Sequence, residues 1–209
     1  ILPGMEPCVF GEKGGTLVVT ARFTGKASDL KRMQFMLNKE RSWLLGLTGG
    51  RWNFSLSQDG RWPYALMGGD APAIDEWFQV AAVARRVLRE TDGRVGFDME
   101  LYINGEKRLS KYVPCNVPHP ATDTPVTIGV GNEKANFCGE VANVAFYDHP
   151  LNPQEIADAL KKEPRVNVRK PGFVDIAPEL DSLLAGLKPA SPLASFAVAG
   201  LRSAAVTGF

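Results

Sequence analysis

The sequence is poor in the side chains that build metal centres and histidine-dependent active sites. Its 209 residues include only two histidines, His119 and His149, and three cysteines. The cysteines form no CxxC pair, which disfavours a zinc or redox site. Both histidines precede prolines in loop-like contexts, and the sequence offers neither of them the partners that a catalytic triad needs. The composition therefore disfavours a zinc, redox or histidine-based metal centre, and we expect no cofactor, with calcium left open.

Long apolar runs and an excess of charge of one sign are also missing. No run approaches the ~20 apolar residues that a membrane-spanning helix needs. The formal net charge of +1 provides no basic field for nucleic acid. We therefore expect no nucleic-acid partner and no membrane span. No signal peptide is visible and the chain begins at Ile1, so we expect a mature or excised piece of a longer protein.

Alternation of apolar and polar residues is the strongest pattern that is present, and residues 97–105 (FDMELYING) show it best. One side of this stretch carries Met99, Leu101 and Ile103, and the other carries Asp98, Glu100 and Tyr102. A period of two predicts a strand with one buried face. The stretch ends in Asn-Gly, the dipeptide that best suits a two-residue hairpin turn. The sequence therefore predicts an antiparallel sheet.

Short runs of β-branched and aromatic residues predict further strands at 16–23, 33–37, 42–47, 52–57, 77–87, 125–129 and 137–147. A helix competes at 77–87 because of its alanines and arginines, but its Trp, Phe and Val residues favour a strand. We also expect a short edge strand near residues 8–10. Residues 61–72 are rich in proline and glycine and are predicted to be irregular. Many short strands with almost no helix before residue 151 predict an all-β sandwich.

One helix follows the strands, and then the composition changes. Asn152 is a predicted N-cap, with Pro153 at the first helical position and Glu155 completing a capping box. Leu151 and Ile156 are spaced as a hydrophobic staple across that cap. We expect a sandwich domain over residues 1–163. Residues 164–209 are expected to be a linker and a small helical extension, with an amphipathic stripe beginning at residue 180.

The order of these segments resembles the concanavalin A-like, laminin G-like domains. The residues that carry the resemblance are Trp77, Val80, Ala81, Leu101, Tyr102, Asn104, Gly105, Ile128, Gly129, Phe137, Gly139, Val141, Val144, Tyr147, Leu151, Glu155 and Ile156. The resemblance covers about residues 16–160. It implies a jelly-roll sandwich of two curved antiparallel sheets. Such modules commonly accompany secreted glycosidases, including bacterial sialidases, and bind sugars or proteins or act as spacers.

The resemblance also raises calcium, which many members of this family bind. The family often places paired acidic residues where this sequence has Ala142 and Asn143. An alanine side chain has no oxygen with which to bind a hard cation. The sequence therefore puts a calcium site of the family type in doubt.

Asp98 and Glu100 are the candidate catalytic residues. The resemblance extends to sandwich glycosidases of the laminarinase type, which use clustered acids on a strand. Retaining hydrolysis needs two carboxyl groups about 5–5.5 Å apart, and residues at i and i+2 on one strand face can approach that separation. The third acid of that pattern is missing, since residue 96 is glycine. Ordinary charges on a solvated sheet face are the alternative interpretation.

Loop aromatics and amides are the candidate ligand contacts. Aromatic faces stack on the C–H surfaces of sugars, and amides hydrogen-bond to their hydroxyl groups. The candidates are Trp62 and Tyr64 in the irregular stretch, Asn132, Glu133 and Asn136 in a second polar loop, and Tyr102 beside the acidic pair. The alternative for Trp62 is that it folds back over the end of the sandwich. The other tryptophans, Trp43, Trp52 and Trp77, are predicted to lie in the core.

The sequence alone does not decide which cysteines, if any, form a disulfide. In sandwiches of this family the first and last strands pair, which implies that Cys8 and Cys138 could meet and leave Cys115 as a free thiol. Such a bridge would agree with export to an oxidising compartment.

Three functions are compatible with these observations. The first is a non-catalytic carbohydrate-binding or accessory module of a secreted carbohydrate-active protein, with a glycan or glycoprotein as partner and an adjoining catalytic domain in the parent protein. The second is a glycosidase that uses Asp98 and Glu100. The third is a structural or docking spacer whose interface is residues 180–201. The shortage of convergent acids and histidines favours the first and third, and we expect a secreted, periplasmic or cell-surface location.

Overall fold

A computed structural model of the chain describes residues 8, 10–58, 61–116, 118, 124–131, 135–161 and, for the backbone, 167–168. The strands in these ranges are β1 (Gly14–Phe23), β2 (Gln34–Lys39), β3 (Trp43–Thr48), β4 (Arg51–Gln58), β5 (Arg61–Gly68), β6 (Trp77–Leu88), β7 (Val95–Ile103), β8 (Glu106–Val113), β9 (Val126–Ile128), β10 (Gly139–Tyr147) and β11 (Asn167–Val168). Helix α1 spans Pro153–Lys161, and one 3-10 turn spans Asp29–Lys31.

The strands form two sheets that face each other. One has the order β11-β10-β1-β6-β7-β8, and the other has the order β5-β4-β3-β2-β9. Among the described strands, every strand pairing is antiparallel except the two-residue contact of β11 with β10. The predicted all-β jelly-roll sandwich is therefore confirmed.

The core lies between the sheets and is supplied by alternate residues of each strand. In β1, for example, Leu17, Val19, Ala21 and Phe23 belong to this core. Four aromatic rings meet near its centre, with Phe10 in contact with Trp43, Phe54 and Phe146 at ring-centroid distances of 6.2, 5.7 and 5.7 Å. The period of two along each strand therefore decides which side chains are buried.

The β7–β8 hairpin forms where the alternation of residues 97–105 predicts it. Asn104 and Gly105 both have positive φ, at 51° and 84°, as a tight hairpin turn requires. Leu101 pairs with Leu109 across the hairpin, and Met99 and Leu101 are fully buried in the core.

Helix α1 covers the outer face of the six-stranded sheet. The predicted capping box is present: the Glu155 backbone N–H donates to Asn152 Oδ1 at 3.0 Å, and the Asn152 N–H donates to Glu155 Oε2 at 2.7 Å. A second apolar cluster lies under the helix and consists of Val18, Ala81, Val83, Tyr102, Ala145, Leu151, Ile156, Ala159 and Leu160. One face of this sheet is therefore largely closed by the chain itself.

Two predictions about tryptophan-bearing segments are wrong. The stretch predicted to be irregular contains strand β5, which tolerates Pro63 because β5 is the edge of its sheet. Trp77, predicted to be core, is 47% exposed. It stands one position before the buried Phe78, so the pleat turns its side chain to the outer face.

The N-terminal segment and the cysteines also differ from expectation. Cys8 and Phe10 are not in a strand, although both side chains are buried. Cys8 and Cys138 are not joined by a disulfide. In the antiparallel pair of β1 and β10, Thr16 lies opposite Tyr147 and Phe23 opposite Gly139. Cys8 lies beside Trp43, which stacks on Phe146 near the Thr16–Tyr147 end of this pair, whereas Cys138 precedes β10 at the other end.

The predicted C-terminal helices lie outside the described residues, so the domain boundary at residue 163 stays a prediction. Nowhere in the described ranges does a helix reach the length and apolar character that a bilayer crossing requires.

Candidate functional site

The predicted site residues do not come together in one place. Trp62 and Tyr64 lie on β5, at one edge of the five-stranded sheet. Asn136 bridges to Phe35, beyond β2 at the other edge. The intervening strands and the offset along them put roughly 20 Å between Trp62 and Asn136. One sugar ring cannot contact both residues, and Asn132 and Glu133 lie outside the described residues.

Trp62 reaches solvent because of a bulge in β5. Leu56 pairs with Tyr64 and Gln58 pairs with Arg61, so two residues of β5 face a single residue of β4. Such a bulge re-aims side chains at a sheet edge. Without it, Trp62 would share the inner face with Tyr64 and Leu66. With it, the indole is 41% exposed.

Tyr64 is anchored beside this indole. Its ring packs on the core, and its hydroxyl lies 2.8 Å from Gln58 Oε1 and 3.2 Å from the carbonyl oxygen of Pro114. On the neighbouring edge, Lys111 Nζ donates to the carbonyl oxygen of Ala65 at 3.1 Å. Tyr64 therefore fixes the strand that presents Trp62, and its own ring is turned towards the interior.

Asn136 closes its own loop. Its Oδ1 accepts a hydrogen bond from the Gly131 N–H at 3.2 Å, and the Phe35 N–H donates to the carbonyl oxygen of Ala135 at 2.8 Å. The residue is exposed, but this geometry gives its amide oxygen a structural partner.

Tyr102 is buried beneath α1, with 4% of its surface exposed, and cannot offer a ring to a ligand in this arrangement. Its hydroxyl donates to Glu100 Oε2 at 3.0 Å, and Lys107 Nζ donates to Glu100 Oε1 at 2.8 Å. Asp98 lies next to Glu100 on the same face and opposite Arg85. Both oxygens of Glu100 are thus engaged by neighbours, and the catalytic use of this acidic pair stays a prediction.

Burial raises the pKa of Tyr102, and the hydrogen bond to Glu100 raises it further. The hydrogen bond to Glu100 also raises the pKa of Lys107. For both groups the unfolded chain loses its proton at lower pH than the folded one. Stability is therefore intact at neutral pH and falls as pH rises above about 10.

We expect Tyr102→Phe to flatten this alkaline loss. At pH 7 the variant loses about 1.5–3 kcal/mol, because the hydrogen bond to a carboxylate is removed under the helix. Between pH 9 and 11 its stability falls less steeply than that of the parent protein. Urea unfolding at a series of pH values measures both effects, and Tyr112→Phe on β8 controls for loss of a tyrosine hydroxyl. The same alkaline slope in Tyr102→Phe and the parent protein would contradict the assignment.

The residues at the family's calcium position do not suit a calcium ion. Ala142 brings no side-chain oxygen, and Asn143 is only 9% exposed. Across the described part of the chain, no three His, Cys, Asp or Glu side chains are grouped as metal ligands would be. Hard cations need several oxygen ligands, so we assign this position no role in binding calcium.

Trp77 is the exposed aromatic residue that the sequence interpretation missed. It begins β6, and the Arg22 guanidinium carbon lies 5.2 Å from the centre of its ring. Arg22 Nη2 in turn lies 2.7 and 2.8 Å from the two carboxylate oxygens of Glu140. The alternation of residues along β6 could have revealed this exposure. Trp77 lies on the same face of the strand as the polar Gln79, whereas Phe78 and Val80 lie on the opposite face.

Comparisons with known proteins agree with the fold. A laminin G-type family model, described as the concanavalin A-like lectin/glucanases superfamily, matches residues 14–157. No curated protein sequence matches the chain significantly.

Solved structures resemble the chain at low sequence identity. A heptameric SAP-like pentraxin from Limulus polyphemus is 16% identical with a TM-score of 0.50, and the match covers 76% of this chain and 75% of that one. The binding domain of botulinum neurotoxin serotype G is 13% identical with a TM-score of 0.45, over 72% of this chain and 36% of that domain. The binding domain of serotype D is 15% identical with a TM-score of 0.47, over 71% and 36%. These structural likenesses concern the fold alone. Because the family model spans most of the sandwich, from β1 into α1, this chain belongs to the concanavalin A-like lectin/glucanases superfamily.

Proposed function

We propose that this chain is a non-catalytic carbohydrate-binding module of a secreted or cell-surface carbohydrate-active protein, and that Trp62 stacks on its glycan. The observation that carries the proposal is the bulge in β5, which turns a large indole out to solvent at a sheet edge. The electron-rich face of an indole attracts the polarised C–H groups of a pyranose ring. The catalytic domain of the parent protein is then expected to lie outside this chain.

The surroundings of Trp62 suit a shallow binding surface. The neighbouring Arg61 and Pro63 are exposed, and Tyr64 holds the strand in place from the interior. A ring on a strand that is already fixed loses little conformational freedom on binding, so more of the contact energy contributes to affinity. The exposed indole at the sheet edge is accessible to a sugar within a longer chain.

We expect Trp62→Ala to weaken glycan binding at least about tenfold, since loss of one stacked aromatic contact removes about 1.4 kcal/mol or more. The wild-type protein is first screened on a glycan array, and the best ligand is then titrated by calorimetry. Trp62→Tyr keeps an aromatic face and is expected to retain most of the affinity.

Met67→Ala is the matched control, because Met67 lies on the same strand, is 46% exposed and is not part of the proposed contact. It is expected to bind as the wild type does. If the wild-type protein binds no glycan, the proposed function is wrong. If it binds but Trp62→Ala binds equally well, Trp62 is not the contact. Hydrolysis of the bound glycan by the purified protein would contradict a non-catalytic role.

A further inference from the structure

A second exposed tryptophan lies on the other sheet and belongs to an ordered row of side chains. Trp77 on β6, Arg22 on β1 and Glu140 on β10 are neighbours across three paired strands. We call these three residues the Trp77 row. A single exposed apolar side chain needs no explanation, but this indole is held by its neighbours.

The row is rigid. The guanidinium of Arg22 covers one face of the Trp77 ring at 5.2 Å, and Nη2 of the same group bonds both oxygens of Glu140. A cation over an indole and a charge-assisted hydrogen bond both restrict side-chain rotation. The indole is therefore presented in one orientation, which lowers the entropy cost of binding a ligand.

The other side of the indole has no strand beside it in the described structure. Pairing of β6 with β7 begins only at Val80 and Ile103, and the chain turns back at Asn104 and Gly105. Trp77 extends past this turn, and 47% of it is exposed. One face of the ring rests on Arg22, and the exposed part of the residue is available to a flat apolar ligand surface.

Polar groups on the adjoining positions of β1 and β10 complement this ring. Thr20 pairs with both Asn143 and Gln79, two residues along β1 from Arg22 and on the same face. Two buried atoms of this patch, Arg22 Nε and Asn143 Oδ1, have no hydrogen-bond partner. One is a donor and the other an acceptor. Both atoms are closed off from solvent, so the groups that a sugar hydroxyl can reach here are the partly exposed side chains of Thr20 and Gln79, each of which can donate and accept.

Local charge disfavours acidic ligands at this place. Arg22 is matched by Glu140, so the row carries no net positive charge. Asp75 and Glu76, immediately before Trp77, are exposed and acidic. These acids disfavour an anionic sugar, whereas a neutral pyranose would pair its hydroxyl groups with Thr20 and Gln79 and its C–H face with the indole.

We propose that the Trp77 row is a second glycan site, specific for neutral pyranoses; this rests on the proposed function. The site lies on the opposite sheet from Trp62. The Trp62 end of β5 lies close to Pro114. Pro114 follows Val113, which pairs with Phe97 of β7, and Phe97 pairs with β6 near the end that is far from Trp77. The two indoles are therefore about 30 Å apart at the rise of a strand.

The test follows the indole N–H signals of ¹⁵N-labelled protein during titration with methyl β-D-glucopyranoside, methyl β-D-galactopyranoside, methyl α-D-mannopyranoside and N-acetylneuraminic acid. We expect the Trp77 signal to shift with at least one neutral glycoside, both in the wild type and in Trp62→Ala. Trp77→Ala should weaken that binding event at least tenfold. Glu140→Gln, which loosens Arg22, should weaken it several-fold. Leu88→Ala, at the exposed far end of the same strand, should leave it unchanged.

Each of the remaining outcomes of this titration contradicts a different part of the two proposals. If the Trp62 signal shifts with sugar and the Trp77 signal does not, the second site is wrong and the proposed function stands. If neither signal shifts with these sugars and no glycan binds on the array, both are wrong. Tighter binding of N-acetylneuraminic acid than of the neutral glycosides would overturn the ligand class. A Trp77 shift that follows protein concentration without sugar would identify a protein contact and overturn the glycan site.

Discussion

Trp43→Ala is expected to lower the free energy of unfolding by about 3–5 kcal/mol. Trp43 lies on β3 between the two sheets and is 1% exposed. Its ring stacks on Phe146 of β10 at 6.4 Å and meets Phe10 edge-on at 6.2 Å. These partners come from the opposite sheet and from the segment before β1, so truncation opens a cavity where three parts of the chain meet.

A hydrogen bond adds to this packing. The indole Nε1–H donates to the carbonyl oxygen of Cys8 at 2.8 Å, inside the core. Trp43→Phe removes the donor and keeps a smaller aromatic ring, so it loses the hydrogen bond and only part of the packing. We expect Trp43→Phe to lose about 1–3 kcal/mol, the range for removing one partner of a buried hydrogen bond. Equilibrium urea unfolding of both variants, followed by circular dichroism, provides the comparison.

The same substitution at the exposed tryptophans is the control. Trp62→Ala and Trp77→Ala remove equally large rings that are 41% and 47% exposed. Both are expected to stay within about 1 kcal/mol of the wild type, as most surface substitutions do. This result would also establish that loss of binding in these variants is not loss of folding. If Trp43→Ala were as stable as the two surface variants, the central position of Trp43 would be wrong.

Most of the fold could be predicted from the sequence because its strands carry their information locally. The alternation in β7 decides which residues are buried, and Asn104 and Gly105 decide where the chain reverses. The same holds for α1, where Asn152 and Glu155 form the capping box that their spacing predicts. Each of these features depends on residues within a few positions of one another.

The site could not be predicted in the same way because it depends on strand order and strand length. The local sequence around Pro63 indicates a loop, and only the edge position of β5 allows a strand there. Likewise, Trp77 lies on the part of β6 that extends beyond the pairing of β6 with β7, and no local sequence pattern indicates where that pairing ends. Trp62 and Asn136 look alike as loop candidates, yet four inter-strand spacings separate them across the sheet.

A single methyl group added at Gly46 is expected to destabilise the protein by about 3 kcal/mol or more, at the upper end of the range for overpacking. Gly46 lies on β3 opposite Phe35 of β2. A Cβ there would fall on the backbone carbonyl oxygen of Gln34, well inside van der Waals contact, and 3.0 Å from its carbonyl carbon. Backbone must move to make room, since no flexible side-chain end stands in the way.

Gln34 cannot yield easily, because its side chain ties two other segments to β2. Its Nε2 donates to the carbonyl oxygen of Asp29 at 2.7 Å, and its Oε1 accepts from the Cys138 N–H at 2.8 Å. Gly46→Ala therefore has to distort either this anchor or the pairing of β2 with β3. We expect a lower urea midpoint with an unchanged slope, as for a loss of stability without a change of fold.

Gly11→Ala is the matched control for Gly46→Ala. No atom lies within 4 Å of a Cβ at Gly11, and its φ is not positive. The same chemical change there is expected to be neutral, or to stabilise by about 0.4–1 kcal/mol through the lower entropy of the unfolded chain. A difference of less than about 1 kcal/mol between the two variants would mean that β2 and β3 do not approach as closely as their register requires.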